Sequence, residues 1–271
     1  MFRSQRRLGH AFPASGMIRM GVLPRLKRSL GHLRRRLQLE LSDVLWLPLG
    51  ENCSADVILT RHKLRSFATF FSDAWSTIDH VLELDRIGYE QCFDRENLDY
   101  NPTGKTFVFS KIISNQCEIF NLPNGPHLAF PHADLIKCPI AREKMRDRIR
   151  RFQRYRHRKN LVFFYYHIKG PRTSLEQLFA KLNQFAMQFR SRYRYCKLVV
   201  FTHSLVEDPQ NRRLKFNQID KDTLYFEINT LERLDGQFYA AEHDDDLVAE
   251  MVRIVKLQIN RKNPFGSTAK E

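Results

Sequence analysis

The run Leu161-Val-Phe-Phe-Tyr-Tyr-His-Ile168 constrains the fold more than any other segment. A continuous apolar stretch of this length, aromatic-rich and closed by Lys169-Gly-Pro-Arg172, predicts a strand buried on both faces. Such a strand needs helices above and below it, which implies parallel neighbours joined by crossover helices. The run also falls far short of the roughly 20 apolar residues that cross a bilayer as a helix, so no membrane span is expected.

The flanking sequence supplies the remaining layers. Val44 to Leu49 reads as a strand ending at Gly50, followed by the turn Glu51-Asn52-Cys53-Ser54 and a helix from Ala55 to His62. A second helix is predicted over Asp73 to Leu84, with Trp75, Ile78, Val81 and Leu82 inward. Thr106 to Ser110 and Cys117 to Phe120 read as strands within a turn-rich stretch. From Arg142 to Lys159, the residues Met145, Ile149, Phe152 and Tyr155 recur at helical spacing and give one buried stripe among arginines. Ser174 with Gln177 predicts a capping box opening a helix that carries Leu175, Leu178, Phe179, Leu182, Phe185 and Phe189 on one side. Lys197 to Phe201 and Thr223 to Ile228 are further strands, and the last helix runs from Asp244 to Gln258 with three aspartates at its positive end. This alternation predicts an α/β fold: a single domain over residues 42–262 with a mainly parallel sheet flanked by helices. Residues 1–41 are expected to be a basic, disordered extension and residues 263–271 a C-terminal tail.

The formal charge of +15 is unevenly spread. Residues 1–39 hold ten basic and no acidic residues, and residues 142–159 hold ten basic residues against Glu143 and Asp147, leaving the rest slightly acidic. An anionic partner follows from that electrostatics, with Arg148, Arg151, Arg154 and Arg158 as the candidate ligands. Nucleic acid is not expected, because no recognised binding motif and no exposed aromatic interleaving accompanies the arginines; a solvated helix face is the plainer reading. Five cysteines without a C-x-x-C pair argue against a disulfide scaffold or a zinc ribbon. Arg19, Arg25, Lys27 and Arg28 interrupt any secretory apolar run, and Met17 or Met20 offers an alternative start, so a reduced, cytoplasmic protein is expected. Neither a phosphate-binding loop nor a dinucleotide fingerprint is present, and no cofactor is expected. The run Asp244-Asp245-Asp246 is read as helix capping, and no metal is assigned.

Cys53 is the residue best placed for chemistry. It lies four residues past Leu49, beyond the carboxyl end of a strand and at the start of a helix, where sites gather in open α/β sheets. Unpaired amides and the helix dipole at that point stabilise a thiolate. The Ser54 backbone and the Asn52 side chain are the candidate donors to an oxyanion. A thiolate also needs a base. His10 and His32 lie in the tail, while His62 and His157 sit among cations. His132, in Phe130-Pro131-His132-Ala133-Asp134, has a carboxylate two residues on, and Asp134 is the candidate to orient it; His127, His167 and His203 remain alternatives.

Leu47-Pro-Leu-Gly50-Glu-Asn-Cys53-Ser, then Phe70-Phe71-Ser-Asp73-Ala-Trp75, resembles the opening of a bacterial family of uncharacterised domains described as putative papain-like cysteine peptidases. In that family a strand leads into Leu-Gly-x-Asn-Cys and a Pro-Phe-Asp-Trp element follows, here altered around Asp73 and Trp75. Phe130-Pro-His132-Ala-Asp134, the arginines from Arg148 to Arg151 and the strand from Leu161 resemble its later elements, so the similarity spans roughly residues 44–201. The resemblance implies Cys53 as nucleophile, His132 as its base, Gly50, Asp73 and Trp75 in support, and a peptide or acylated substrate attacked at an acyl carbon by a hydrolase or acyltransferase. An esterase-like variant acting on acylated sugars is a close relative of that reading. The alternative from another class is a non-catalytic phosphate- or nucleic-acid-binding module built on residues 142–159.

Overall fold

A computed structural model describes residue 34 and residues 37–100, 108–111, 128–169, 174–191, 194–231 and 244–260. The chain divides into two units, Met1–Ser42 and Asp43–Glu271. In the first, residues 37–41 are helical and mostly exposed. All further elements belong to the second.

That unit is an α/β domain. Strands β1 (Val44–Gly50), β5 (Asn160–His167), β6 (Cys196–Leu205) and β8 (Thr223–Thr230) run parallel, and β7 (Arg213–Gln218) closes the edge antiparallel to β8, giving the order β1-β5-β6-β8-β7. The helices are α1 (Ser54–Arg61), α2 (Ile78–Ile87), α3 (Pro139–Tyr155), α4 (Leu175–Met187) and α5 (Asp245–Asn260). A second, three-stranded antiparallel sheet is formed by β2 (Leu98–Tyr100), β3 (Val108–Ser110) and β4 (Leu128–Phe130).

Every residue of β5 is buried, as its apolar run requires. Its alternate side chains enter two different cores. Val162, Phe164 and Tyr166 pack with Ala55, Ile58 and Leu59 of α1 and with Val248, Met251, Val252 and Val255 of α5. On the opposite face, Phe163 meets Phe152 of α3, Phe185 of α4 and Phe189, with ring centroids 5.3 to 6.1 Å apart. The stripe expected on the arginine-rich helix is present, since Met145, Ile149, Phe152 and Tyr155 are all buried.

Three expectations need correction. The second helix starts at Ile78 instead of Asp73: residues 70–73 form a 3₁₀ turn, and the Trp75 backbone pairs with Ala129 of β4. Thr77 then caps α2, its hydroxyl accepting from the His80 N–H while the His80 ring accepts from the Thr77 N–H, so Trp75 lies outside the helix and Leu82 is only half-buried. Strand β7 was not foreseen, because Arg213-Leu-Lys-Phe-Asn-Gln packs just Leu214 and Phe216 against the core and reads as polar. Ser174 does cap α4 by accepting from the Gln177 N–H, yet that helix ends at Met187, before Phe189. Residues 106–107, 117–120 and 170–172, for which strands and a loop were expected, lie outside the described residues.

Candidate active site

The turn after β1 is fixed by backbone geometry. Gly50 has φ of 142°, and a Cβ there would sit 2.7 Å from the Tyr166 N and 2.9 Å from the Tyr166 O, so no other residue fits without moving β5. The Glu51 N–H donates to the Tyr166 carbonyl at 3.1 Å, and Ser76 Oγ donates to the Gly50 carbonyl at 3.1 Å. Asn52 Oδ1 accepts from the Ser54 N–H at 2.8 Å, and Cys53 becomes the N-cap of α1 with φ of −77° and ψ of 1°. The Ser54 amide, expected to face an oxyanion, is therefore already occupied by Asn52. A carboxamide oxygen fixed this way leaves Asn52 Nδ2 as the donor, and no described residue accepts from it.

Cys53 is half-buried and its Sγ lies 4.0 Å from His132 Nε2, across 79 residues of chain. His132 stands two residues beyond β4. That loop is held from three directions. Ala129 of β4 exchanges both backbone hydrogen bonds with Trp75, at 2.8 and 3.2 Å. Arg142 Nη1 donates to the Leu135 and Ile136 carbonyls. The Asp134 carboxylate accepts from the Tyr100 hydroxyl at 3.1 and 3.2 Å and from the Ile136 and Lys137 N–H groups at 3.1 and 2.9 Å. The Lys137 amide above all, then Tyr100 and the Ile136 amide, hold this exposed carboxyl below its usual range. Among the described residues these are its hydrogen-bond partners. The His132 imidazole is not one of them.

Residues 69–76 act as a crosspiece between β1, which leads into the Cys53 turn, and β4, which leads into the His132 loop. Thr69 Oγ1 donates to the Pro48 carbonyl of β1, Ser76 reaches Gly50, and Trp75 pairs with β4. Asp73 Oδ2 accepts from Arg148 Nη1 of α3 at 2.6 Å. Arg148 is 8% exposed and also donates to the Thr69 carbonyl, so it points inward and is not presented to an anion. Its neighbours Arg142, Arg146, Arg150 and Arg156 likewise bond protein acceptors. Arg151, which lies over the Phe67 ring, and Arg154 and Arg158 are exposed.

The other thiols differ from Cys53. Cys92 and Cys196 are buried, and burial pushes each thiol up to about 12. Cys138 is exposed at the start of α3. Of the alternative histidines, His203 is half-buried on β6 and His127 lies outside the described residues.

His167 has a different partner, one that sequence reasoning missed. Glu51 is 2% exposed, and its Oε1 lies 2.8 Å from His167 Nδ1 and 3.0 Å from the Tyr165 hydroxyl, while Oε2 accepts from the Ile168 N–H at 2.6 Å. The available signal was an acid at the end of one apolar strand and a histidine at the end of another. Among the described residues no group of three or more His, Cys, Asp or Glu is arranged to hold a metal ion, and no helix is long and apolar enough to cross a membrane.

A family model described as putative papain-like cysteine peptidase matches residues 44–204, from the start of β1 into β6, and so includes both Cys53 and His132. No curated protein and no solved structure matches the chain.

Proposed function

The chain belongs to the family described as putative papain-like cysteine peptidase, and we propose from that premise that it is a cysteine hydrolase with Cys53 as nucleophile and His132 as general base. The observation that carries this reading is the 4.0 Å between Cys53 Sγ and His132 Nε2. Catalytic pairs are often this long without substrate and shorten when it binds.

In the proposed mechanism His132 Nε2 takes the Cys53 proton, and the positive end of α1 stabilises the thiolate. The thiolate attacks the acyl carbon of a peptide or related acyl substrate, and Asn52 Nδ2 donates to the resulting oxyanion. Collapse expels the leaving group, which takes the proton from His132, and leaves a thioester on Cys53. Water deprotonated by His132 then releases the acid; a different acceptor at this step makes the same site an acyltransferase. Asp134 serves as a positioning residue, keeping the His132 loop folded through Tyr100 and two amides.

The test is alkylation of native protein by iodoacetamide between pH 6 and 7, alongside hydrolysis of a fluorogenic acyl library. Cys53 is expected to react well above the rate of a simple thiol of pKa about 8.5. His132→Ala should remove that excess, with turnover falling about 10²- to 10⁴-fold. Alkylation at the simple-thiol rate in the native protein overturns the reading.

The non-catalytic alternative draws on one observation, the exposure of Arg151, Arg154 and Arg158 with no ion-pair partner among the described residues. It predicts phosphate-polymer binding that weakens steeply between about 50 and 200 mM salt and survives Cys53→Ala.

A further inference from the structure

We propose that the buried Glu51–His167–Tyr165 cluster is a positioning device for the nucleophile, setting where Cys53 Sγ stands relative to His132. The inference rests on the reading of Cys53 as nucleophile and adds a role for three residues outside the Cys53 and His132 pair.

Glu51 occupies an unusual position for an acid. It follows the glycine that ends β1, precedes the Asn52-Cys53 turn by one residue, and is almost wholly buried. Burying a carboxylate is costly unless donors replace its water. Here three do: the Tyr165 hydroxyl, His167 Nδ1 and the Ile168 N–H. All three come from the carboxyl end of β5 or the residue after it, and the Glu51 N–H returns a bond to Tyr166 in the same stretch.

The residue two before the nucleophile is thus tied to β5 through both its backbone and its side chain. Tyr165 extends the tie, because its hydroxyl accepts from the Ile78 N–H at the start of α2. The crosspiece ending at Ser76 and Thr77 leads directly into that helix. The same cluster therefore couples the Cys53 turn to the segment that pins β4, the strand leading to His132. Nothing in strand formation requires this: β1 and β5 are already paired from Val44 to Gly50. What the cluster adds is a fixed position for the chain after β1 ends, where the sheet no longer dictates it.

The experiment compares iodoacetamide alkylation of Cys53 at pH 7 in the full chain and in variants, with exposed Cys138 as internal reference and thermal melting as the folding control. Glu51→Ala is expected to slow Cys53 about tenfold or more, since a displacement near 1 Å costs about that or worse, while Cys138 is unchanged. Glu51→Gln, which keeps an acceptor for Tyr165 and His167, should recover most of the rate. A carboxylate acting only as a nearby like charge gives the opposite sign, because removing it eases thiolate formation and speeds Cys53. His167→Phe and Tyr165→Phe each remove one donor and are expected to slow Cys53 several-fold; they decide the matter if Glu51→Ala does not fold. Folded variants that alkylate at the native rate or faster overturn the proposal. A native Cys53 no faster than a simple thiol of pKa about 8.5 instead overturns the function on which it rests, so the two failures are separable.

Discussion

Arg148 of α3 donates to Asp73 at 2.6 Å, joining residues 75 apart in the chain, and the arginine is nearly buried while doing so. This bond turns one member of the most basic helix into an internal fastener. Asp73→Asn or Asp73→Ala leaves the guanidinium without its counter-charge, although Asp73 itself is partly solvated. The expected loss is about 2 kcal/mol, below the range for a fully buried pair. Melting should fall by about 4–8 °C, with affinity for inorganic phosphate unchanged. A drop in phosphate binding without a drop in stability contradicts this assignment.

Gly50 makes a sharper prediction. Gly50→Ala places a methyl group 2.7 Å from a backbone nitrogen of β5 in a conformation that an L-residue rarely adopts. Both effects act at the strand end that launches Cys53. The variant should lose at least about 2 kcal/mol in denaturant titration, and Cys53 alkylation should slow even where the protein remains folded.

The four described cysteines should separate into two classes under native conditions. Cys53 and Cys138 are accessible, whereas Cys92 and Cys196 are buried with their thiols raised to about 12. Peptide mapping after brief alkylation at pH 7 is expected to find label on the first pair and almost none on the second until denaturant is added. Early modification of Cys92 or Cys196 would mean that the core opens far more readily than its packing implies.

Asp134 gives a pH dependence with a defined sign. Its carboxyl is depressed by the Lys137 amide, Tyr100 and the Ile136 amide. A group lowered on folding adds stability above its unfolded value of about 3.9, and that contribution disappears as pH falls through the lower folded value. Amide exchange in residues 131–138 should therefore be slower in native protein than in Asp134→Ala from about pH 5 upward. The difference should shrink as pH drops below about 4. An Asp134→Ala loop protected as well as the native one at pH 6 rules out this fastening role.

Much of the molecule was legible in one dimension. The Leu161–Ile168 run dictated a strand buried on both faces, the spacing of Met145, Ile149, Phe152 and Tyr155 dictated which side of α3 faces inward, and Gly50 before Asn52-Cys53-Ser54 marked the turn between β1 and α1. These are local properties, set by side-chain periodicity and by the conformations a few consecutive residues allow. Tertiary structure alone decided that Glu51 meets His167 across 116 residues and Arg148 meets Asp73 across 75, whereas the meeting of Cys53 with His132 across 79 was already implied by the family resemblance. It also delayed the start of the expected 73–84 helix to Ile78, because Trp75 found a backbone partner in β4. Such pairings depend on strand order and register, and a polar side chain carries no periodic trace of the distant group that will satisfy it once water is excluded.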